Sequence, residues 1–172
     1  ALNCVSVGHL LEKGAVDRVF VQPAASAAGG ALGCALALAA SLVELRRDWV
    51  KQDTDAMRGG FLGYELSATE VDDVIQKHEL NTKKLDTSSM NKEIARLLSE
   101  GRTVALCRGR AEYGPRALGN RSILADARDP ECQTILNVAV KQRESFRPFA
   151  PVVLEEDANF WFDAPFGDHY MT

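Results

Sequence analysis

Histidine and cysteine are scarce, and neither is placed for chemistry. His9, His78 and His169 lie far apart, and none has a second ligand at metal-site spacing. The four cysteines, at 4, 34, 107 and 132, form no CxxC pair. This pattern gives no basis for a zinc site or a Cys-His nucleophile and predicts reduced thiols that are buried or incidental. No apolar stretch is long enough to cross a bilayer: the longest, ALGCALALAASLV at 31–43, runs straight into ELRRDW. The amino terminus lacks the basic region and cleavage site of a signal peptide, so the expectation is a cytoplasmic protein. Charge is also close to balance, with 20 basic and 24 acidic residues and a net −4. Neither a nucleic-acid nor a membrane partner is implied. There is no internal repeat and no low-complexity tract.

What the chain does have is apolar content, 46% of 172 residues, enough for a core and for one or two domains. It opens on Ala1 within an apolar pattern and reads as a piece of something longer. DRVFVQP (17–23) predicts a short strand ended by proline, followed by a glycine-opened helix over 28–45 with an exposed apolar face. Residues 48–60 lose apolar periodicity, carry Gly59 and Gly60, and suit a linker. A second domain is expected over 61–172. Within it, Ser67 and Glu70 form a capping box ahead of Val71, Val74 and Ile75 on one helical face. TKKLD (82–86) reads as a strand, NKEIARLLSEG as a helix stopped at Gly101, TVALCRG (103–109) and SILAD (122–126) as strands, and PECQTILNVAV (130–140) as a helix. APVVLEE (150–156) reads as a last strand before the aromatic turn NFWFD. Strands alternating with helices predict an α/β layered fold.

Positive charge is concentrated between Arg102 and Arg147, where nine basic residues face five acidic ones. Arg110 and Arg116 flank a YGP turn, Asn120, Arg121 and Ser122 open an apolar strand, and Lys141, Arg143 and Arg147 sit beside Phe146 and Phe149. The guanidinium fork suits phosphate and carboxylate, so arginines at strand ends and tight turns predict a pocket for an anionic ligand. The competing reading is a set of solvated surface charges and ion pairs.

GRAEYGPRALGNRSILADARDP followed by ESFRPFAPVVLEED closely resembles the NodU-like carbamoyltransferases of nodulation and antibiotic tailoring. ALNCVSVGHLLEKGAVDRVFVQPAASAAGGALG resembles their upstream segment. The resemblance implies that 1–47 end an N-terminal carbamoyl-transfer domain of the actin-like ATPase superfold and that 61–172 form part of a YrdC-like domain. That domain is implied to form carbamoyl-adenylate from carbamoyl phosphate and ATP, and the N-terminal domain to pass the carbamoyl group to a hydroxyl of a sugar or natural product. Matched positions imply that Arg110, Arg116, Asn120, Arg121, Ser122, Lys141, Arg143 and Arg147 bind ATP and carbamoyl phosphate. Asn3 is implied to face nucleotide in the N-terminal domain. Full-length members are expected to use Fe or another divalent metal and Mg. Here Ala27 stands where the family usually has a metal-binding aspartate, so no metal ligand is assigned. Partners are expected to be small-molecule substrates and the remainder of the parent chain. The alternatives are a non-catalytic YrdC-like module binding nucleotide or RNA, and an inactive fragment. RNA would favour a broad lysine-rich face with exposed aromatics over arginines set in tight turns.

Overall fold

The computed structural model describes residues 2–17, 19–42, 55, 57–162 and 169–171. The chain divides into two units, one of Ala1–Tyr64, Arg110–Asn120 and Ala164–Thr172, the other of Glu65–Gly109 and Arg121–Asp163. Among the described residues helices dominate both, with one small sheet, so the broad α/β expectation holds only as a mixture of helix and a two-stranded ladder.

In the first unit, α1 (Cys4–Glu12) starts at Asn3, whose side-chain oxygen accepts from the Ser6 amide at 3.1 Å. That bond satisfies one of the amides a helix start leaves without a partner. The predicted strand at 17–23 is not formed. A strand is a pairing, and the described residues of this segment find no neighbour to pair with; Phe20 is 85% exposed. Gln22 instead turns the chain, its side-chain oxygen accepting from Ala24 N at 3.2 Å. Helix α2 (Ala27–Leu42) follows. The glycine of its first turn has a steric reason: a Cβ on Gly29 would lie 2.0 Å from the Ala24 carbonyl oxygen. Beyond that turn Leu32, Leu36, Leu38 and Leu42 are exposed, as the predicted apolar face required. Of the predicted linker, 48–54 and 56 lie outside the described residues; Arg58–Gly60 form a single 3₁₀ turn.

The segment Arg110–Asn120 belongs to this same unit. Ala111 N donates to Tyr64 O and Gly63 N to Ala111 O, while Tyr113 N donates to Gly60 O. The Tyr113 hydroxyl donates to Ala28 O at 2.6 Å. Residues 1–47 and the arginine loop therefore meet directly within this unit. Gly114 makes the approach possible: its φ is +138°, and a Cβ there would stand 3.1 Å from Pro23 O.

In the second unit, the capping box forms as predicted, Glu70 N donating to Ser67 Oγ and Ser67 N to Glu70 Oε2, and opens α3 (Ala68–Lys77). Val71 and Val74 on its apolar face are exposed. The predicted strand at 82–86 is absent. Asp86 takes the Ser89 amide and hydroxyl at 3.0 and 2.6 Å and starts α4 (Thr87–Ser99) four residues ahead of the predicted Asn91. Gly101, at φ +76°, closes it where expected. Strands β1 (Val104–Cys107) and β2 (Arg121–Leu124) pair antiparallel, Val104 opposite Leu124 and Cys107 opposite Arg121, and α4 lies against β1. The predicted helix at 130–140 is α5 (Cys132–Ile135) running into a π-helical turn, Leu136–Val140. Leu136 and Asn137 are this unit's most buried side chains. The strand predicted at 150–156 is extended chain and a 3₁₀ turn with Val152 exposed, and the aromatic turn is the short α6 (Ala158–Trp161), with Asp163 outside the described residues.

Candidate functional site

The loop 110–120 is organised by a carboxylate. Glu112 Oε1 accepts from the amides of Leu118 and Asn120 at 2.7 and 2.8 Å. Asn120 Nδ2 donates to Arg110 O at 2.8 Å, which joins two of the predicted site residues across the base of the loop. Arg110 Nη2 donates to Leu62 O at 3.2 Å. Arg116 Nη2 donates to Leu2 O, beside Asn3, and its Nε is buried without a partner. Asn3 itself spends its side-chain oxygen on the α1 cap.

The remaining candidates lie in the second unit. Arg121 starts β2 and donates from Nη1 to Arg108 O at 2.7 Å and from Nη2 to Gly109 O at 3.1 Å, tying down the chain that leaves β1. Ser122 pairs with Leu106 in the ladder. Lys141 closes the π-helical turn, its amide donating to Leu136 O, with the side chain exposed. Arg143 Nε donates to Asn137 Oδ1 at 2.7 Å, and the guanidinium lies over the Phe149 ring, 5.0 Å from its centroid. Arg147 pairs with Glu144 at 2.8 Å.

The partners sort the arginines by how much charge they still offer. Arg110, Arg116 and Arg143 hydrogen-bond neutral oxygens, two main-chain carbonyls and an amide, although Arg143 is close enough to Glu144 to help hold that carboxyl down. Arg128 is compensated by Asp126, which accepts at 2.6 Å and whose carboxyl that contact holds down at about 2. Arg96 is likewise bracketed by Glu93 and Glu100. Arg147 stands between these cases, with one carboxylate partner at the surface.

Residues 95–172 match the family described as carbamoyltransferase C-terminus. The chain belongs to the carbamoyltransferase family. It is 44% identical over 172 residues to nodulation protein NolO of Bradyrhizobium diazoefficiens, covering 99% of this chain and 30% of that protein. It is 34% identical over 171 residues to the 3'-hydroxymethylcephem-O-carbamoyltransferase of Streptomyces clavuligerus, again 99% of this chain and 30% of the relative. Nodulation protein U of Azorhizobium caulinodans is 53% identical over 79 residues, 46% of this chain and 14% of that protein. This carbamoyltransferase-family chain thus spans under a third of the length of the curated relatives it matches.

The described residues do not fit the metal expected of full-length members. Ala27, the first residue of α2, carries no donor atom, and no group of three or more His, Cys, Asp or Glu side chains among the described residues could hold an ion. The thiols are not ligands in waiting either: Cys4, Cys34 and Cys107 are free and exposed, incidental rather than buried, and burial pushes the Cys132 thiol up. A cavity of about 110 Å³ in the first unit, between α2 and Tyr113, is lined chiefly by apolar groups including Leu32, Leu36 and Met57 and holds no ionisable side chain apart from the tyrosine. No helix among the described residues is long and apolar enough to cross a membrane.

Two residues that shape this carbamoyltransferase segment escaped the sequence reading. Glu112 was visible only as an acid inside the basic stretch. Asn137 carried one signal, a lone amide within the apolar run ILNVAV, which in a helix is either exposed or bonded to something specific.

Proposed function

We propose that this chain supplies the donor side of an O-carbamoyltransferase, binding carbamoyl phosphate and ATP for formation of carbamoyl-adenylate. The carbamoyl group then passes to a hydroxyl of a sugar or natural product. In this reading 1–47 close an actin-like carbamoyl-transfer domain and 61–172 contribute to a YrdC-like domain. The observation that carries it is that Arg110, Arg116 and Arg143 are each hydrogen-bonded to a neutral oxygen and not to a carboxylate. A guanidinium already paired with carboxylate has to break that pair to take phosphate; one anchored on a carbonyl can offer its remaining N–H groups to an anion without losing its anchor. Carbamoyl phosphate and a nucleoside triphosphate are both densely anionic, which suits guanidinium groups that are not already hydrogen-bonded to a carboxylate.

Calorimetric titration of carbamoyl phosphate and of ATP into the full chain tests this, with Arg110→Ala set against Arg128→Ala. Losing a charge-assisted contact at Arg110 costs about 1.5–3 kcal/mol, roughly ten- to a hundredfold in affinity. Arg128→Ala, which removes only a surface pair with Asp126, leaves affinity unchanged. Equal losses in the two variants refute the assignment, and binding of single-stranded RNA in preference to both small ligands would favour the binding-module reading instead.

A further inference from the structure

We infer that Asn137 is a positioning residue that sets the arginine pair of the loop 143–147 for its anionic ligand, an inference that rests on the donor-site reading above. Asn137 is completely buried, the only fully buried side chain of any size among the described residues. A primary amide has two hydrogens to donate and an oxygen to accept with, and here each is spent on the same loop. Nδ2 donates to Ser145 O at 2.9 Å and to Arg147 O at 2.8 Å. Oδ1 accepts from Arg143 Nε at 2.7 Å. The Asn137 main-chain oxygen takes the Arg143 amide at 2.9 Å as well. One residue therefore fixes the backbone at 143, 145 and 147 and the inner edge of one guanidinium.

The outcome for Arg143 is specific. With Nε held by Asn137 and one face on Phe149, its two terminal nitrogens have no protein acceptor among the described residues. Those are the groups a bidentate phosphate or carboxylate contact needs. The π-helical turn at Leu136–Val140 matters here, because one extra residue in a helical turn re-aims the side chains around it, and such turns recur at functional sites. Gln133 reaches the same two carbonyls at 3.4 and 3.2 Å from the preceding turn, longer bonds that back up the amide without touching Arg143.

The amide's neutrality is the testable point. Aspartate has nearly the same shape and keeps an acceptor for Arg143 Nε, but it loses both donors and sets a negative charge against the guanidinium meant for the ligand. In the full chain, Asn137→Asp is expected to bind carbamoyl phosphate at least tenfold more weakly than the unmutated protein at pH 8. That ratio should narrow as pH falls toward 5 and the new carboxyl is protonated, regaining a donor and losing its charge. A residue that merely supports the fold would not give a pH-dependent ratio. Unmutated protein gives an independent check that needs no variant. On adding carbamoyl phosphate, the Arg143 terminal NH₂ resonances should separate as rotation about the Cζ–N bonds is restricted, while its Nε–H, already bonded to Asn137, stays in place. Equal affinities of Asn137→Asp and the unmutated chain at both pH values, or Arg143 signals indifferent to saturating ligand, overturn the inference and leave the donor-site reading standing. If the unmutated chain binds neither carbamoyl phosphate nor ATP, the donor-site reading itself falls and takes the ligand role of Asn137 with it.

Discussion

Replacing Glu112 should loosen the arginine loop without touching any arginine. Its Oε1 accepts two main-chain amides, from Leu118 and Asn120, at 2.7 and 2.8 Å. Hydrogen bonds to a charged acceptor contribute about 1.5–3 kcal/mol each, against about 0.5–1.5 for neutral pairs. Glu112→Gln keeps an oxygen in place but removes its charge, a loss of about 1 kcal/mol per bond and about 2 in all. Glu112→Ala removes the acceptor, but the site is only half-buried, so water replaces part of what is lost; the net cost is about 2–4 kcal/mol. Glu112→Asp, one methylene short, should resemble alanine more than glutamine. Because the chain is divided into two units, a single melting temperature reports this poorly, and amide hydrogen exchange at Leu118 and Asn120 is the better assay. At about 1.4 kcal/mol per tenfold, exchange should speed up roughly thirtyfold in Glu112→Gln and more in Glu112→Ala. Exchange at both amides within about twofold of the unmutated rate in Glu112→Ala would refute the reasoning, since the loop would then be held by something other than this carboxylate.

Gly114→Ala should destabilise the first unit by about 1–3 kcal/mol, since φ is +138° and the new methyl would meet Pro23 O at 3.1 Å; urea unfolding followed by a probe in that unit measures it. Asp55, which accepts from Tyr170 Oη and from the Gly59 and Met57 amides, should titrate below the ordinary carboxylate range, and Tyr170→Phe should move it back up. The folded-state pKa is depressed, so the stability Asp55 contributes is present above its unfolded value near 3.8 and is lost as pH falls through the lower folded value. Carbon-detected NMR titration of the carboxyl checks this, and an Asp55 that titrates at its ordinary value in the unmutated chain removes the premise.

What could be read from the sequence was local. The Ser67 and Glu70 box, the stop at Gly101 and the runs that became β1 and β2 each carry their signal within a few residues, and each is found where expected. Asp86 shows how a local signal can still be outvoted. Lys83, Lys84 and Leu85 look extended, but a carboxylate followed by Thr-Ser-Ser starts a helix at once. The three missing strands share one cause. Apolar alternation says that a segment could be a strand, whereas forming one needs a neighbour, and 17–23, 82–86 and 150–156 pair with nothing among the described residues.

The same distinction governs the site. Arginines announced themselves by composition, but their value to an anion depends on what holds them, and that is decided elsewhere in the chain. Arg110 and Arg128 look alike in sequence; one rests on Leu62 O and keeps its charge, the other is matched by Asp126. Glycines such as Gly114 and Gly119 would let backbone amides of the loop approach a ligand closely, yet the amides of Leu118 and Asn120 are already turned to Glu112. An anion arriving at this loop cannot use those two donors without displacing a carboxylate of its own sign. In the donor-site reading, this loop would therefore engage an anion through guanidinium rather than backbone, and what fixes each fork matters more than the count of positive charges.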